Sequence, residues 1–128
     1  MMHGKSKILI VEDQKSIRLL MNAILKRTFE VETLSDGLAG MAWLNAGNIP
    51  DLIILDMQMP NVDGFQFLKI LKKSGIFSSI PVVVVSGNES ELDKQACMAL
   101  GAEYYFQKPF DPKELLNKIS GILRPIAA

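Results

Sequence analysis

Three carboxylates in this 128-residue sequence come directly after short aliphatic runs. Glu12 and Asp13 follow residues 7–11, and Asp56 follows residues 52–55. Aliphatic runs of this length, closed by turn-forming residues, are typical of strands that are buried on both faces of a parallel sheet. Because ligands bind outside the carboxyl ends of such strands, side chains at these positions are placed to do chemistry.

Repulsion among the three carboxylates predicts either a raised pKa or a bound cation. One pair of like charges at ~4 Å costs about 4 kcal/mol at an effective dielectric of roughly 20. Oxygen ligands beside a solvent-facing loop favour Mg²⁺, which keeps several waters and shares phosphate oxygens. Asp13 or Asp56 alone could simply open a loop or cap a helix, but the two together at neighbouring strand ends favour a metal site.

Two further polar side chains follow the last two aliphatic or aromatic runs. Ser86 comes after residues 82–85, and Lys108 comes after residues 104–107. A hydroxyl and an ammonium that face a carboxylate–metal cluster suit a phosphoryl group, with Lys108 as a point charge and Ser86 as a hydrogen-bonding group. Taken alone, Ser86 could start a turn and Lys108 could be one of fourteen solvated cations.

Five strand–helix alternations must position these side chains. The predicted strands are residues 7–11, 31–34, 52–56, 82–85 and 104–107. Continuous aliphatic strands that alternate with helices indicate an α/β fold, a doubly wound (βα)5 parallel sheet in the flavodoxin-like order 2-1-3-4-5. The switch point of this order lies between the first and third strands, so Glu12, Asp13 and Asp56 should converge on one crevice.

Capping residues and apolar spacing predict the five helices. The first helix runs from Ser16, and its apolar stripe comprises Ile17, Leu20, Met21, Ile24 and Leu25. The second helix follows Ser35-Asp36-Gly37, and the third is capped by Asp63, with Phe67, Leu68 and Leu71 facing inward. The fourth helix opens on an Asn88–Glu91 capping box and buries Leu92, Ala96 and Leu100, and the fifth is capped by Asp111 ahead of Pro112. These assignments depend on cap chemistry and on the helical period.

Composition narrows the class of protein. Fourteen Lys and Arg balance fourteen Asp and Glu, so net charge gives no reason to expect direct binding to nucleic acid or to a membrane. The single cysteine, Cys97, excludes an internal disulfide and fits a reducing compartment. We expect one cytoplasmic domain over residues 1–128, with its core at 7–123 and no output domain after Leu123.

Taken together, the motifs resemble the receiver domain of bacterial response regulators, in the manner of a stand-alone chemotaxis regulator of two-component signalling. The resemblance depends on five segments: VED at 11–13, LDMQMPNVDG at 55–64, VSG at 85–87, GA at 101–102 and KPF at 108–110. Each segment is unspecific by itself, whereas five in this order and spacing are highly specific. Glu12 and Ser86 stand where the family more often has Asp and Thr.

The resemblance implies a role for each matching residue. Asp56 would accept a phosphoryl group from a histidine kinase or phosphotransfer protein, with Lys108 and Ser86 assisting. The cofactor would be Mg²⁺, with Glu12 (through water), Asp13, Asp56 and the backbone carbonyl of Gln58 as its ligands. The Lys108–Pro109 peptide would be cis. The only catalysis expected of the chain itself is self-phosphorylation and slow autodephosphorylation.

The resemblance also implies how a signal would leave the domain. Ser86 and Tyr105 would be the switch residues, and a downstream protein would bind through the fourth helix, fifth strand and fifth helix. Gln58 and Asn88, each two residues beyond Asp56 or Ser86, would tune the rate of dephosphorylation.

Two other classes of protein share parts of this pattern. Hydrolases of the haloacid dehalogenase type also place a nucleophilic Asp after a strand, but they need a second Asp two residues later, where this chain has Gln58. A flavodoxin-like cofactor binder would need a Ser/Thr/Gly-rich phosphate loop after the first strand. Glu12 and Asp13 would repel that phosphate, so the sequence favours a phosphorylation-switched signalling domain.

Overall fold

A computed structural model describes residues 4–59, 61–87 and 90–124, within which five strands alternate with five helices. The elements are β1 (Lys7–Val11), α1 (Lys15–Leu25), β2 (Glu30–Leu34), α2 (Gly37–Asn45), β3 (Leu52–Asp56), α3 (Gly64–Lys73), β4 (Val82–Ser86), α4 (Glu91–Ala99), β5 (Tyr104–Gln107) and α5 (Pro112–Leu123). The strands are parallel, in the order β2-β1-β3-β4-β5. The α/β fold and the strand order predicted from the sequence are confirmed.

Alternate residues of the three central strands bury two separate hydrophobic layers. Leu9, Ile53 and Val84 face one side of the sheet, where they pack with buried residues of α2, α3 and α4. Ile8, Ile54 and Val83 face the other side, where they pack with α1 and α5. A sheet covered on both faces requires apolar side chains at every position, which is why these strands are continuous aliphatic runs.

Side-chain caps begin three of the helices at the places that the sequence predicts. Asp36 accepts a hydrogen bond from the Ala39 N–H at 2.8 Å, and Asp63 accepts one from the Gln66 N–H at 2.9 Å. Asp111 accepts from the Lys113 N–H at 2.9 Å, directly ahead of the proline that opens α5. Each cap satisfies a backbone donor that the helix cannot satisfy by itself.

Gly64 allows α3 to begin directly against the end of β3. Its N–H donates to the Met57 carbonyl at 3.1 Å, and a β-carbon at this position would overlap the backbone of Asp56 and Met57. Only glycine allows this approach, because it has no side chain. The backbone on either side of Asp56 is therefore held by β3 before it and by α3 after it.

The prediction for α4 was wrong in its cap and in one buried residue. The helix begins after Ser90, whose hydroxyl accepts from the Asp93 N–H at 3.2 Å, whereas Asn88 lies outside the described residues. Leu92 is 77% exposed, and Cys97 is the fully buried residue of α4. Five residues separate the two, which places them roughly 140° apart around the helix, so both cannot face the sheet.

Smaller corrections concern α1 and β2. Leu20, expected on the inward stripe of α1, is 42% exposed, while Met21 and Leu25 are fully buried. The helix begins at Lys15 and β2 at Glu30, one residue earlier than predicted in each case. Trp43 packs partly buried against the core. Among the described residues, no helix combines the length and the hydrophobicity needed to cross a membrane.

Candidate functional site

The carboxyl ends of β1, β3, β4 and β5 form one edge of the sheet, and this edge carries the candidate site. Strand register fixes the alignment, since Val11 lies opposite Leu55 and Asp56 lies opposite Val85. Beyond the strands, the Glu12 N–H donates to Leu34 at 3.0 Å. Backbone pairing thus continues past the strand end and limits the freedom of the residues there.

Three carboxylates converge at this edge, as the sequence predicts. Glu12, Asp13 and Asp56 each offer an oxygen, and these oxygens all lie within 4.8 Å of one another. Glu12 and Asp56 are buried, whereas Asp13 is exposed to solvent. Such a set of closely spaced oxygens, open on one side, could bind a metal ion.

Lys108 supplies the positive charge that faces the two buried carboxylates. Its ammonium lies 3.0 Å from Glu12 Oε1 and 3.4 Å from Asp56 Oδ1, and only 12% of its side chain is exposed. The Lys108 N–H also donates to the Ser86 carbonyl at 2.7 Å, which holds the backbone at the end of β5. The Lys108–Pro109 peptide is cis, as the family resemblance implied.

The contact with Lys108 does not provide a hydrogen bond for every buried oxygen of the acidic cluster. Within the part of the chain that the structure describes, Asp56 Oδ2 is buried without a hydrogen-bond partner. Glu12 Oε1 has its ion pair with Lys108 but no contact of hydrogen-bonding geometry. Buried carboxylate oxygens are normally bonded, so these two atoms fit the ligand set of a hard divalent cation.

The environment of Asp56 changes its acidity strongly. Burial is the largest cause that raises its pKa from 3.8 to about 8, followed by the contact with Asp13 and the charge of Glu12. The Gln58 N–H donates to Asp56 Oδ1 at 3.1 Å and acts in the opposite direction. In the metal-free site, the raised pKa favours the protonated form of Asp56.

The comparisons with known proteins agree with this geometry. The family model described as the response regulator receiver domain matches residues 8–120. This chain belongs to that family. Receiver domains are phosphorylation-activated signalling domains that interact with histidine kinases and with downstream effectors. The resemblance stated from the sequence motifs is confirmed.

The curated relatives of this chain include longer transcriptional regulators. The KDP operon transcriptional regulatory protein KdpE of Escherichia coli is 39% identical over 93% of this chain and 52% of its own length. The chain spans about half the length of the curated relatives it matches.

Two solved structures show the similarity in three dimensions. Chemotaxis response regulator CheY4 of Vibrio cholerae has a TM-score of 0.85 at 32% identity, covering 93% of this chain and 99% of its own. Response regulator Rcp1, in an Mn²⁺-bound form, has a TM-score of 0.81 at 32% identity, and the match covers 95% of this chain and 97% of its own. Both similarities extend over nearly the whole chain.

The structure places the other predicted site residues of this receiver domain at different depths. Ser86 is buried at the end of β4, and Tyr105 is partly buried on β5 against the layer formed with α4. Gln58, Ser86 and Met57 line a cavity of about 290 Å³ beside the acidic cluster. Asn88 lies outside the described residues.

Sequence reasoning missed two side chains that contact the site. Gln14 Oε1 accepts from the Lys108 ammonium at 3.4 Å, and the Arg18 guanidinium donates to the carbonyls of Glu12 and Asp13. Gln14 stands at the N-cap position of α1, but its side chain makes no capping hydrogen bond. A residue type that does not usually cap helices at this position was the available signal that its side chain has another partner. Arg18 gave no signal, because its partners are backbone atoms.

The raised pKa of Asp56 predicts how the metal-free domain responds to pH. The folded state binds a proton that the unfolded state has lost between about pH 4 and about pH 8, so the free energy of unfolding should fall as pH rises through this range. Asp56→Asn should remove that part of the dependence. Urea unfolding of both proteins in a chelating buffer measures it.

Asp36→Asn is the matched control, because asparagine caps a helix about as well as aspartate. It should retain the pH dependence of the wild type. Parallel stability profiles for the wild type and Asp56→Asn would contradict the assigned pKa.

Proposed function

We propose that this receiver domain accepts a phosphoryl group on Asp56 in a reaction that needs Mg²⁺. The observation that carries the proposal is the position of Asp56, whose Oδ2 is buried and unpartnered in the described part of the chain, beside Lys108 and two further carboxylates. Glu12 is the other buried carboxylate among the described residues, but its Oε1 pairs with Lys108 and its Oε2 accepts from the Gln14 N–H.

The reaction is a transfer between two nucleophiles. An oxygen of ionised Asp56 attacks the phosphorus of a phosphohistidine, an O–P bond forms and the donor's P–N bond breaks. The departing imidazole takes up a proton, and Asp56 becomes an acyl phosphate. Lys108, already 3.4 Å from Asp56, would balance the charge of the new phosphoryl oxygens.

Glu12, Asp13 and Asp56 would hold the metal ion, with the backbone carbonyl of Gln58 completing the set. When bound, Mg²⁺ would favour the ionised form of Asp56 and neutralise charge on the transferred group. The Mn²⁺-bound form of the similar regulator Rcp1 supports a divalent cation here. The haloacid dehalogenase alternative has less support, because the Gln58 amide cannot act as a general acid.

The proposed output surface comprises α4, β5 and α5. Phosphorylation would draw Ser86 toward the phosphoryl group and leave space for Tyr105, shifting the populations of pre-existing conformations. The exposed apolar side chains of Leu92, Met98 and Tyr104 support this surface, as does a groove of about 680 Å³ between β5 and α5. A downstream protein would bind there.

Two further properties are part of the proposal. Gln58 and Asn88 would set the lifetime of the phosphoryl group by guiding or blocking an in-line water. We also propose that residues 1–128 form a single receiver domain with its core at 7–123, that it works in the cytoplasm, and that it does not itself bind nucleic acid.

Phosphorylation of Asp56 can be measured directly. Acetyl phosphate and Mg²⁺ should add one phosphoryl group that hydroxylamine removes, as read by intact-protein mass spectrometry. Asp56→Asn should lose the label, since it has no carboxylate nucleophile, whereas Asp36→Asn should be labelled like the wild type. Label that persists on Asp56→Asn would disprove the assignment.

The output surface has its own test in amide chemical shifts recorded on activation. The largest changes should fall on α4, β5 and α5, including Lys94, Met98, Tyr105, Lys113 and Asn117, because the proposed switch residues belong to β4 and β5, next to these elements. Changes concentrated on α1 and α2, with α4 unaffected, would rule out this route.

A further inference from the structure

Arg18 holds the backbone of the loop that carries two of the three carboxylates. Its Nη1 atom donates to the Glu12 carbonyl at 2.9 Å and to the Asp13 carbonyl at 3.3 Å. These two carbonyls belong to consecutive residues, so a single guanidinium fixes the orientation of both peptide groups. The directions in which the Glu12 and Asp13 side chains leave the backbone depend on that orientation.

The position of Arg18 gives no advantage to helix α1 itself. Arg18 is the fourth residue of α1, and the first turn contains no acidic residue to pair with it. A cation near a helix N-terminus is disfavoured by the partial positive charge of the unpaired N–H groups there. The bonds to Glu12 and Asp13 are the interactions that offset this cost.

In the part of the chain that the structure describes, bonds other than those from Arg18 hold the backbone of Glu12 more firmly than that of Asp13. The Glu12 N–H donates to the Leu34 carbonyl. The Glu12 side chain accepts from the Gln14 N–H at 3.1 Å and faces Lys108. Asp13 is exposed to solvent, and the bond from Arg18 holds its carbonyl. The Asp13 carboxylate contacts Asp56, and Arg18 holds the backbone from which that carboxylate reaches the site.

We propose that Arg18 is a positioning residue for the metal site, acting through the backbone of Glu12 and Asp13. This inference rests on the proposed Mg²⁺-dependent function and adds to it a residue that does not touch the metal. Groups that orient metal ligands commonly change metal affinity by about 10- to 100-fold when they are removed.

The electrostatic effect of Arg18 has the opposite sign to its positioning effect. A guanidinium beside a cation site repels the cation, so removing its charge alone should tighten the binding of Mg²⁺. Loss of positioning should weaken binding, because Asp13 and Glu12 would then sample other orientations. The direction of the change in affinity therefore separates the two roles.

The test is a titration of the full chain with MgCl₂ at constant ionic strength, followed by the amide resonances of Met57 and Gln58. Arg18→Met should raise the Kd for Mg²⁺ about tenfold or more. Arg18→Lys keeps the charge but is too short to hold both carbonyls in place, so it should raise the Kd by less. Lys15→Met removes a charge from the same helix and should leave the Kd unchanged or slightly lower.

The outcomes separate failure of the inference from failure of the proposed function. A wild type that does not bind Mg²⁺ overturns the proposed function itself. A wild type that binds, with an unchanged or lower Kd in Arg18→Met, overturns the positioning role alone. If Arg18→Met does not fold, Arg18→Lys decides the question, because an unchanged Kd in that variant contradicts positioning. Apo-state urea unfolding of each variant reports any purely structural contribution separately.

Discussion

The burial of Asp56 beside two other carboxylates is the interaction on which the rest of this receiver domain depends. Among the described residues, Lys108 is the cation that pairs with this group of three acids, at 3.0 Å from Glu12 and 3.4 Å from Asp56. Burial, followed by the contact with Asp13 and the charge of Glu12, raises the pKa of Asp56 to about 8. In the proposed function a divalent cation would relieve this imbalance, and Lys108 would balance part of the charge that a phosphoryl group adds.

The fold maintains this unfavourable cluster by holding the backbone on every side of it. The start of α3 packs against the end of β3 at Gly64, and the Lys108 N–H bonds to the Ser86 carbonyl across two neighbouring strands. Contact also extends to α4, since the Cys97 sulfur lies 3.7 Å from the Met57 sulfur. A change of charge at Asp56 would therefore act on closely packed residues that connect it to the proposed output surface.

Most of the fold and the convergence of the site residues could be predicted from the sequence, because both depend on short-range patterns. Continuous aliphatic strands imply a buried parallel sheet, and the strand order brings Glu12, Asp13 and Asp56 together. The phase of α4 could not be predicted in the same way, since several weakly apolar faces compete there and Leu92 proved exposed. The contacts of Arg18 could not be predicted either. Its partners are backbone carbonyls, which every residue has, so no residue type in the sequence marks them.

The most direct measurement of the central claim is the change in melting temperature on adding millimolar MgCl₂ to the metal-free protein, against a sodium chloride control of equal ionic strength. Mg²⁺ that binds only the folded state should raise the melting temperature of the wild type by mass action. The rise should be clearly smaller in Asp56→Asn, because its amide cannot ionise to bind the cation as a carboxylate does. Equal rises in both proteins, or none in the wild type, would contradict the account.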